Sequence, residues 1–309
     1  MRTIAVMLLA SLPGLAAVSD FNGRWNLKVH NEARKRVWWL EVSGAGTGAV
    51  KGRFVGFPGG DMAGIPSPDV SPLRVDGQEL TFTCTRAKRR IDYRVRMAKG
   101  QLEGTSTEAG QVLHFTGRRA PVIRDKDDGT GKHGKPVALF NGKDLAGWAP
   151  VVEGQPLGWS VKGGILSNVA AANNLISESK FWNFDLHAEY RIGPDSNSGI
   201  GLRARYEVQI LADYGQPPNS HGHGALYSRI KPKVNATRPA GAWQVMDIRL
   251  VGRQLTVRLN GQMLIDKGEV EGLTAMATDT DEDQPGPIVL QGDHRVVEFR
   301  KLVVTPLAK

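Results

Sequence analysis

Apolar and polar residues alternate along this chain in short runs, and glycine interrupts the runs almost from end to end. A period of two sends successive side chains to opposite faces of a strand, whereas a helix needs apolar residues three and four apart. Arg24 to Val29, Val37 to Val42, Val50 to Val55, Leu80 to Thr85, Tyr93 to Met97, Leu102 to Ser106 and Val112 to Arg118 each read as a strand. Phe184 to Ile192, Gly199 to Leu211, Trp243 to Val251, Leu255 to Leu259, Ile288 to Gln291 and Val296 to Val304 continue the pattern, with a hairpin turn at Asn260-Gly261. No segment offers a long amphipathic helix, and 37 glycines and 17 prolines in 309 residues supply the turns. The predicted class is all-β.

Residues 122–136 carry Arg-Asp-Lys-Asp-Asp-Gly-Thr-Gly-Lys-His-Gly-Lys without apolar periodicity and read as a linker. The linker separates a first all-β domain, residues 20–121, expected to be a small β-barrel or β-sandwich, from a second at 137–309. Pro58 to Pro72, rich in glycine and proline, reads as a loop. Ahead of both domains, Arg2, the apolar run Ile4 to Leu12, and Ala17-Val18-Ser19 before Asp20 read as a signal peptide over residues 1–19. No later run is long enough to span a bilayer, so the chain is predicted to be exported, periplasmic or secreted, with no transmembrane segment. The lone Cys84 shares a face with Phe82 and reads as a core residue. Phe21-Asn22-Gly23 with Trp25 is echoed by Phe140-Asn141-Gly142 with Trp148, which reads as shared turn chemistry and not as a repeat.

Forty Lys and Arg against 31 Asp and Glu give a net charge of +9. The clusters Arg34-Lys35-Arg36 and Lys88-Arg89-Arg90 are short, far apart and part of no nucleic-acid-binding motif, so the charge reads as a solvated basic surface. There is no Gly-x-Ser-x-Gly elbow, Walker loop, His-Glu-x-x-His or Cys-x-x-Cys, and no Glu-x-Asp-x-x-Glu strand of the kind that carries retaining glycosidase chemistry.

Alternation through Asn197 to Asp213 puts Leu202, Ala204, Tyr206, Val208 and Ile210 on one face, and Arg203, Arg205, Glu207 and Gln209 on the other. Such a polar row either lines a polar ligand cleft or forms an exposed, salt-bridged sheet face. In Phe184 to Ile192, Asp185, His187, Glu189 and Arg191 read as a solvated face of a strand near a sheet edge. His294, beside Asp293 at a strand end, is a candidate base, metal ligand or surface residue. His221-Gly-His223 supplies only two ligands, and Asp279 to Asp283 reads as a solvated acidic loop, Gln284 standing where a calcium loop needs glycine.

Leu139-Phe-Asn-Gly-Lys-Asp-Leu-Ala-Gly-Trp148, Asn197-Ser-Gly-Ile-Gly-Leu-Arg203, Tyr206-Glu-Val-Gln-Ile210, Ala225-Leu-Tyr227 and Gly286-Pro-Ile-Val-Leu-Gln-Gly-Asp-His294 resemble, in order and spacing, the 3-keto-disaccharide hydrolase domain family. The resemblance covers about Val137 to Leu307. It implies a concanavalin A-like jelly-roll sandwich with carbohydrate on its concave face, and cleavage of glycosides oxidised at C3 by elimination and hydration. It implies a cleft holding Arg203, Glu207 and Gln209, with Asp213, Gln291 and His294 at the rim. His294 or Glu207 would be the base, and Arg203 or a divalent ion would stabilise the enolate. Arg205 and Asn197 would contact sugar, and Trp148 and Tyr227 would either stack on it or belong to the core. The first domain, through Phe21-Asn-Gly-Arg-Trp25 and Trp38-Trp39-Leu-Glu-Val42, resembles small β-barrels appended to this family. The alternative is a non-catalytic carbohydrate-binding protein of the cell envelope; sugar specificity, metal requirement and oligomeric state stay open.

Overall fold

The structure, a computed structural model, describes residues 17–30, 32, 35–56, 72–86 and 88–308. Apart from residues 17–19 and Pro72, the predicted signal peptide and the Pro58 to Pro72 loop lie outside the described residues, as does Arg34 of the first basic cluster. Among the described residues there is no α-helix, and hence none long and apolar enough to cross a membrane.

The first sheet comprises β1 (Gly23–Val29), β2 (Val37–Ser43), β3 (Lys51–Val55), β4 (Arg74–Asp76), β5 (Glu79–Arg86), β6 (Arg89–Ala98), β7 (Gln101–Glu108) and β8 (Gln111–Arg119). Its order is β3-β2-β1-β8-β7-β6-β5-β4, with every pair antiparallel. The sheet rolls up until Phe54 on β3 lies 5.0 Å from Phe82 on β5, far along the strand order. Trp38, Tyr93 and Phe115 pack between them and fill the interior, with Cys84 buried in the same cluster.

The second region contains β9 (Lys132–His133), β10 (Val137–Ala138), β11 (Trp148–Pro150), β12 (Trp159–Lys162), β13 (Ile165–Asn168), β14 (Leu175–Phe181) and β15 (Phe184–Ile192). It continues with β16 (Asn197–Leu202), β17 (Tyr206–Leu211), β18 (Gln244–Val251), β19 (Gln254–Leu259), β20 (Gln262–Glu269), β21 (Gly286–Leu290) and β22 (Val297–Ala308). One sheet runs β12-β13-β22-β15-β18-β19-β20 with β9 and β10 on β22; the other runs β11-β14-β21-β16-β17. Leu186, Ala188 and Tyr190 from the first meet Ile200, Val208 and Ile210 from the second in one apolar core. This is the all-β jelly-roll sandwich that the alternation and the motif resemblance predict.

Two expectations change. β15 lies between β22 and β18, not at an edge, and its outward charges are paired across strands: Asp185 with Arg249, His187 with Asp247, Glu189 with Arg300 and Arg191 with Glu298. The charged linker is a strap and not a tether. Asp125 accepts from Trp182 Nε1 at 2.8 Å and Asn183 Nδ2 at 3.1 Å, and Asp127 accepts from Arg249 at 3.0 Å. Its charges look solvated in sequence because their partners lie more than 50 residues away.

The outer face of β1 to β3 also docks on the sandwich. Val37, Trp39 and Val55 join the core of the second region, and Arg53 and Arg229 lie 5.3 Å and 4.3 Å from the Trp39 ring. Beside this contact, Glu282 is fully buried: it accepts from Tyr206 Oη and Arg253 at 2.7 Å through one oxygen, and from Asn26 at 2.7 Å through the other. The loop read as solvated therefore contributes a buried acid, although Asp281 and Asp283 on either side are about half exposed. Glu282→Ala leaves the Arg253 guanidinium without its carboxylate, and a loss of about 3–5 kcal/mol in urea unfolding is expected. A loss under about 1 kcal/mol would mean that the network contributes little.

Candidate active site

The run Gly199 to Leu211 is a hairpin and not one strand. β16 and β17 pair from Leu202↔Tyr206 to Asn197↔Leu211, and Arg203 and Ala204 form the turn at φ +54° and +57°. Glycine or asparagine normally occupies such positions, so the sequence carries no turn signal there. Pairing sets Gly201 opposite Glu207 and Gly199 opposite Gln209, all on the face turned away from the core. A Cβ on Gly199 would lie 2.8 Å from Glu207 Oε1 and 3.0 Å from its Cγ, so this glycine makes the space that the carboxyl occupies. Gly199→Ala is expected to displace Glu207 without unfolding the sheet, the latter checked by circular dichroism.

Glu207 is 3% exposed, and burial pushes its carboxyl up to about 8; the nearby His294 opposes that shift and Asp293 adds to it. At neutral pH it is mostly a neutral acid. Its backbone is fixed on both sides, N–H to Thr274 Oγ1 at 2.9 Å and C=O to Tyr227 N–H at 3.0 Å. His294 follows β21 in a loop held by Asn174, whose Oδ1 accepts from Gly292 and Asp293 N–H at 2.7 and 3.2 Å. Its half-exposed ring has Nδ1 2.8 Å from Asp293 Oδ1, and that carboxylate raises the imidazole above its usual range. An Nδ1–H donated to Asp293 leaves Nε2 to accept a proton.

Among the described residues nothing donates to the buried Gln209 Oε1 or Gln291 Oε1 on this face, while Gln209 Nε2 donates to Asn197 Oδ1 at 3.4 Å. A buried unpartnered amide oxygen costs about 1–3 kcal/mol, which a ligand hydroxyl would relieve. Tyr227, half-buried opposite Glu207, packs edge-on to His221 at 4.9 Å. Glu207, Gln209, Gln291, His294, Asn197 and Tyr227 thus share one side of the sandwich.

Four residues expected in the cleft are elsewhere. Because the strand breaks at the turn, Arg203 leaves the Glu207 row: it is fully buried, donates to Trp182 O at 2.7 Å and Gly252 O at 3.0 Å, and stacks 3.9 Å from the Trp182 ring. Arg205 is taken by Asp279 at 2.5 Å and Gln284 O at 2.7 Å. Asp213 is saturated by His223 N–H at 2.9 Å and Thr237 Oγ1 at 2.8 Å, clamping the loop that returns along β17. Trp148 is a core residue whose Nε1 donates to Leu139 O at 2.7 Å. His223 is buried too, 2.5 Å from Tyr190 Oη and pulled down to about 4 by burial. Gly199, Asn174 and Thr274 are not singled out by sequence, because each acts through a contact made only in the fold, whereas the pairing of Asp293 with His294 follows from their adjacency. Among the described residues no three His, Cys, Asp or Glu side chains converge as a donor set for a divalent ion.

Residues 135–305, more than half of the chain, match the 3-keto-alpha-glucoside-1,2-lyase-like domain. Among solved structures, a protein of Parabacteroides distasonis named as a candidate glycosyl hydrolase is 28% identical with a TM-score of 0.51, over 60% of this chain and 92% of that one. A second so named from the same organism is 23% identical with a TM-score of 0.45, over 56% of this chain and all of the other. No curated protein matches the chain.

Proposed function

The chain belongs to the 3-keto-alpha-glucoside-1,2-lyase-like domain family, and we propose that it is an exported enzyme that cleaves glycosides oxidised at C3 of the sugar. The observation that carries this reading is Glu207, a buried and mostly uncharged carboxyl beside the His294–Asp293 pair. A sheet built only to bind sugar has no need of a carboxyl held neutral near pH 7, whereas proton-transfer chemistry does.

The C3 carbonyl acidifies the C2 proton. His294 Nε2 removes it, and the C2–H electron pair forms the C2=C3 bond of an enolate whose charge rests on O3. The Glu207 O–H donates to O3 and stabilises that charge, the part that Arg203 cannot play from its buried position. Collapse of the enolate restores the C3 carbonyl, forms a C1=C2 bond and breaks the bond from C1 to the leaving oxygen. That oxygen takes the proton from the His294 imidazolium. Water then adds at C1, with a proton to C2, giving the free 3-keto sugar. Gln209 and Gln291, on the same face, accept from sugar hydroxyls.

The test is direct. Purified protein is expected to release phenol from phenyl 3-keto-glucoside and none from unoxidised phenyl glucoside. Saturable binding of unoxidised oligosaccharide, with no turnover of the keto compound, would instead make it a carbohydrate-binding protein.

A further inference from the structure

Gly199 and Gly201 lie on the same face of β16, about 7 Å apart, and a different side chain fills the space over each. A Cβ on Gly199 would meet the Glu207 carboxyl, whereas one on Gly201 would lie 2.5 Å from Met276 Cε and 3.0 Å from Val289 Cβ. The methionine methyl therefore rests on the Gly201 backbone. Glu207 turns its N–H to Thr274 and its C=O to Tyr227, away from β16, so Gly201 faces it as a non-hydrogen-bonded pair, the closer kind. Arg295, next to His294, donates its N–H to Asn197 O at 3.4 Å. Along β16 the order is thus the histidine end at Asn197, the carboxyl at Gly199 and the methionine at Gly201.

One loop holds both Met276 and Glu207. Thr274 accepts Glu207 N–H through Oγ1 at 2.9 Å and donates its own N–H to Arg205 O at 3.0 Å. Ala277 N–H returns to Thr274 O at 3.1 Å, and Thr278 N–H donates to Ala204 O at 3.0 Å, so residues 274–278 form a tight turn clasped to the β16–β17 turn. Met276, half-buried, joins Val151, Ala204, Val289 and Ile176 in one apolar cluster. The carboxyl therefore has an apolar neighbour on one side and polar ones on the other. The charges that act on it lie on the polar side: His294 opposes the effect of burial and Asp293 adds to it. Arg205 and Asp279, on the turn and the loop, are paired with each other, and Tyr227 and His221 flank Glu207 from the segment that returns along β17.

We propose that Met276 is a positioning residue for this site: its thioether, set on Gly201 by the Thr274 turn, walls the Glu207 carboxyl from water on the side away from His294 and keeps it in the proton-donating form. Water in place of the methionine would hydrate the carboxylate and favour the charged form. An unbranched apolar side chain suits the task, because it fills the irregular gap that a glycine floor leaves. The role rests on the reading of Glu207 as the donor to O3.

The test follows the Glu207 carboxyl by carbon-13 NMR in protein labelled at glutamate Cδ, with Glu207→Gln assigning the resonance, in Met276→Ala, Met276→Gln and Met276→Leu variants. The wild-type carboxyl is expected to titrate at about 8. In Met276→Ala and Met276→Gln the midpoint should fall by about one unit, a tenfold rise in acid dissociation, whereas Met276→Leu, which keeps the apolar volume, should stay within about 0.3 unit of the wild type. The alkaline limb of kcat/KM on phenyl 3-keto-glucoside should move with the midpoint, while the acidic limb, set by His294, stays in place. A midpoint unmoved in all three variants, or moved as far by Met276→Leu as by Met276→Ala, would overturn the proposal while leaving turnover of 3-keto-glycosides standing. A midpoint that falls in the alanine and glutamine variants of a protein that turns over no 3-keto-glycoside would support the methionine wall and sink the catalytic reading.

Discussion

His294→Ala is expected to lower kcat on a 3-keto-glycoside by about 10²–10⁴-fold with the fold intact, because a positioned general base contributes that much and the half-exposed ring has one side-chain partner. Asp293→Asn separates orientation from chemistry. Removing the carboxylate that raises His294 leaves the imidazole easier to deprotonate, so the acidic limb of the kcat/KM profile should move to lower pH. Rate at the optimum should fall by about tenfold as the ring loses its orienting partner. A His294→Ala enzyme with wild-type kcat would remove histidine from the mechanism, and an unmoved acidic limb in Asp293→Asn would mean that the limb reports another group.

Glu207 is expected to show opposite effects on activity and stability. Glu207→Ala should cost about 10²–10³-fold in kcat as the donor to O3 is lost. Glu207→Gln keeps an N–H donor and should lose less, and because glutamine does not ionise, the fall in rate above about pH 8 should vanish. The stability sign follows from proton uptake. Burial raises the folded carboxyl to about 8 from an ordinary 4.5, so the folded state holds the proton more tightly. Its contribution is fully present below pH 4.5 and is lost as pH rises to about 8, a total on the order of 4 kcal/mol. Glu207→Gln should therefore melt above the wild type at pH 8 and close to it at pH 4.5. Equal melting at pH 8, or an alkaline limb that persists in the glutamine variant, would contradict a buried neutral carboxyl.

The period-two runs made most strands legible, and Phe184 to Ile192 coincides with β15 residue for residue. Alternation failed at Arg203-Ala204, where two residues without turn preference bend the chain and end the polar row after Glu207 and Gln209. A pattern argument assigns a face to every second residue and has no means of seeing a turn that tertiary hydrogen bonds hold in place. That is why Arg203 and Arg205 were expected in the cleft. His294, Gln291 and Glu207, by contrast, kept their positions because each lies on or just past a regular strand. Trp148 and Asp213 illustrate another limit: an aromatic or an acid beside a motif is equally compatible with core packing and loop clamping, and partners distant in sequence decide. The charges of residues 122–136 and of the acidic loop show the same limit, being satisfied by residues that no local window contains.

Elimination requires C2 to give up its proton, which hydrolysis by displacement at C1 never does. Turnover of a C2-protonated 3-keto-glycoside in deuterium oxide, stopped early and analysed by mass spectrometry against a control of free 3-keto-glucose, tests this directly. The released 3-keto sugar is expected to carry one deuterium at C2 beyond the control. Product that keeps its original hydrogen at C2 would contradict elimination and hydration and return the chain to ordinary glycoside hydrolysis.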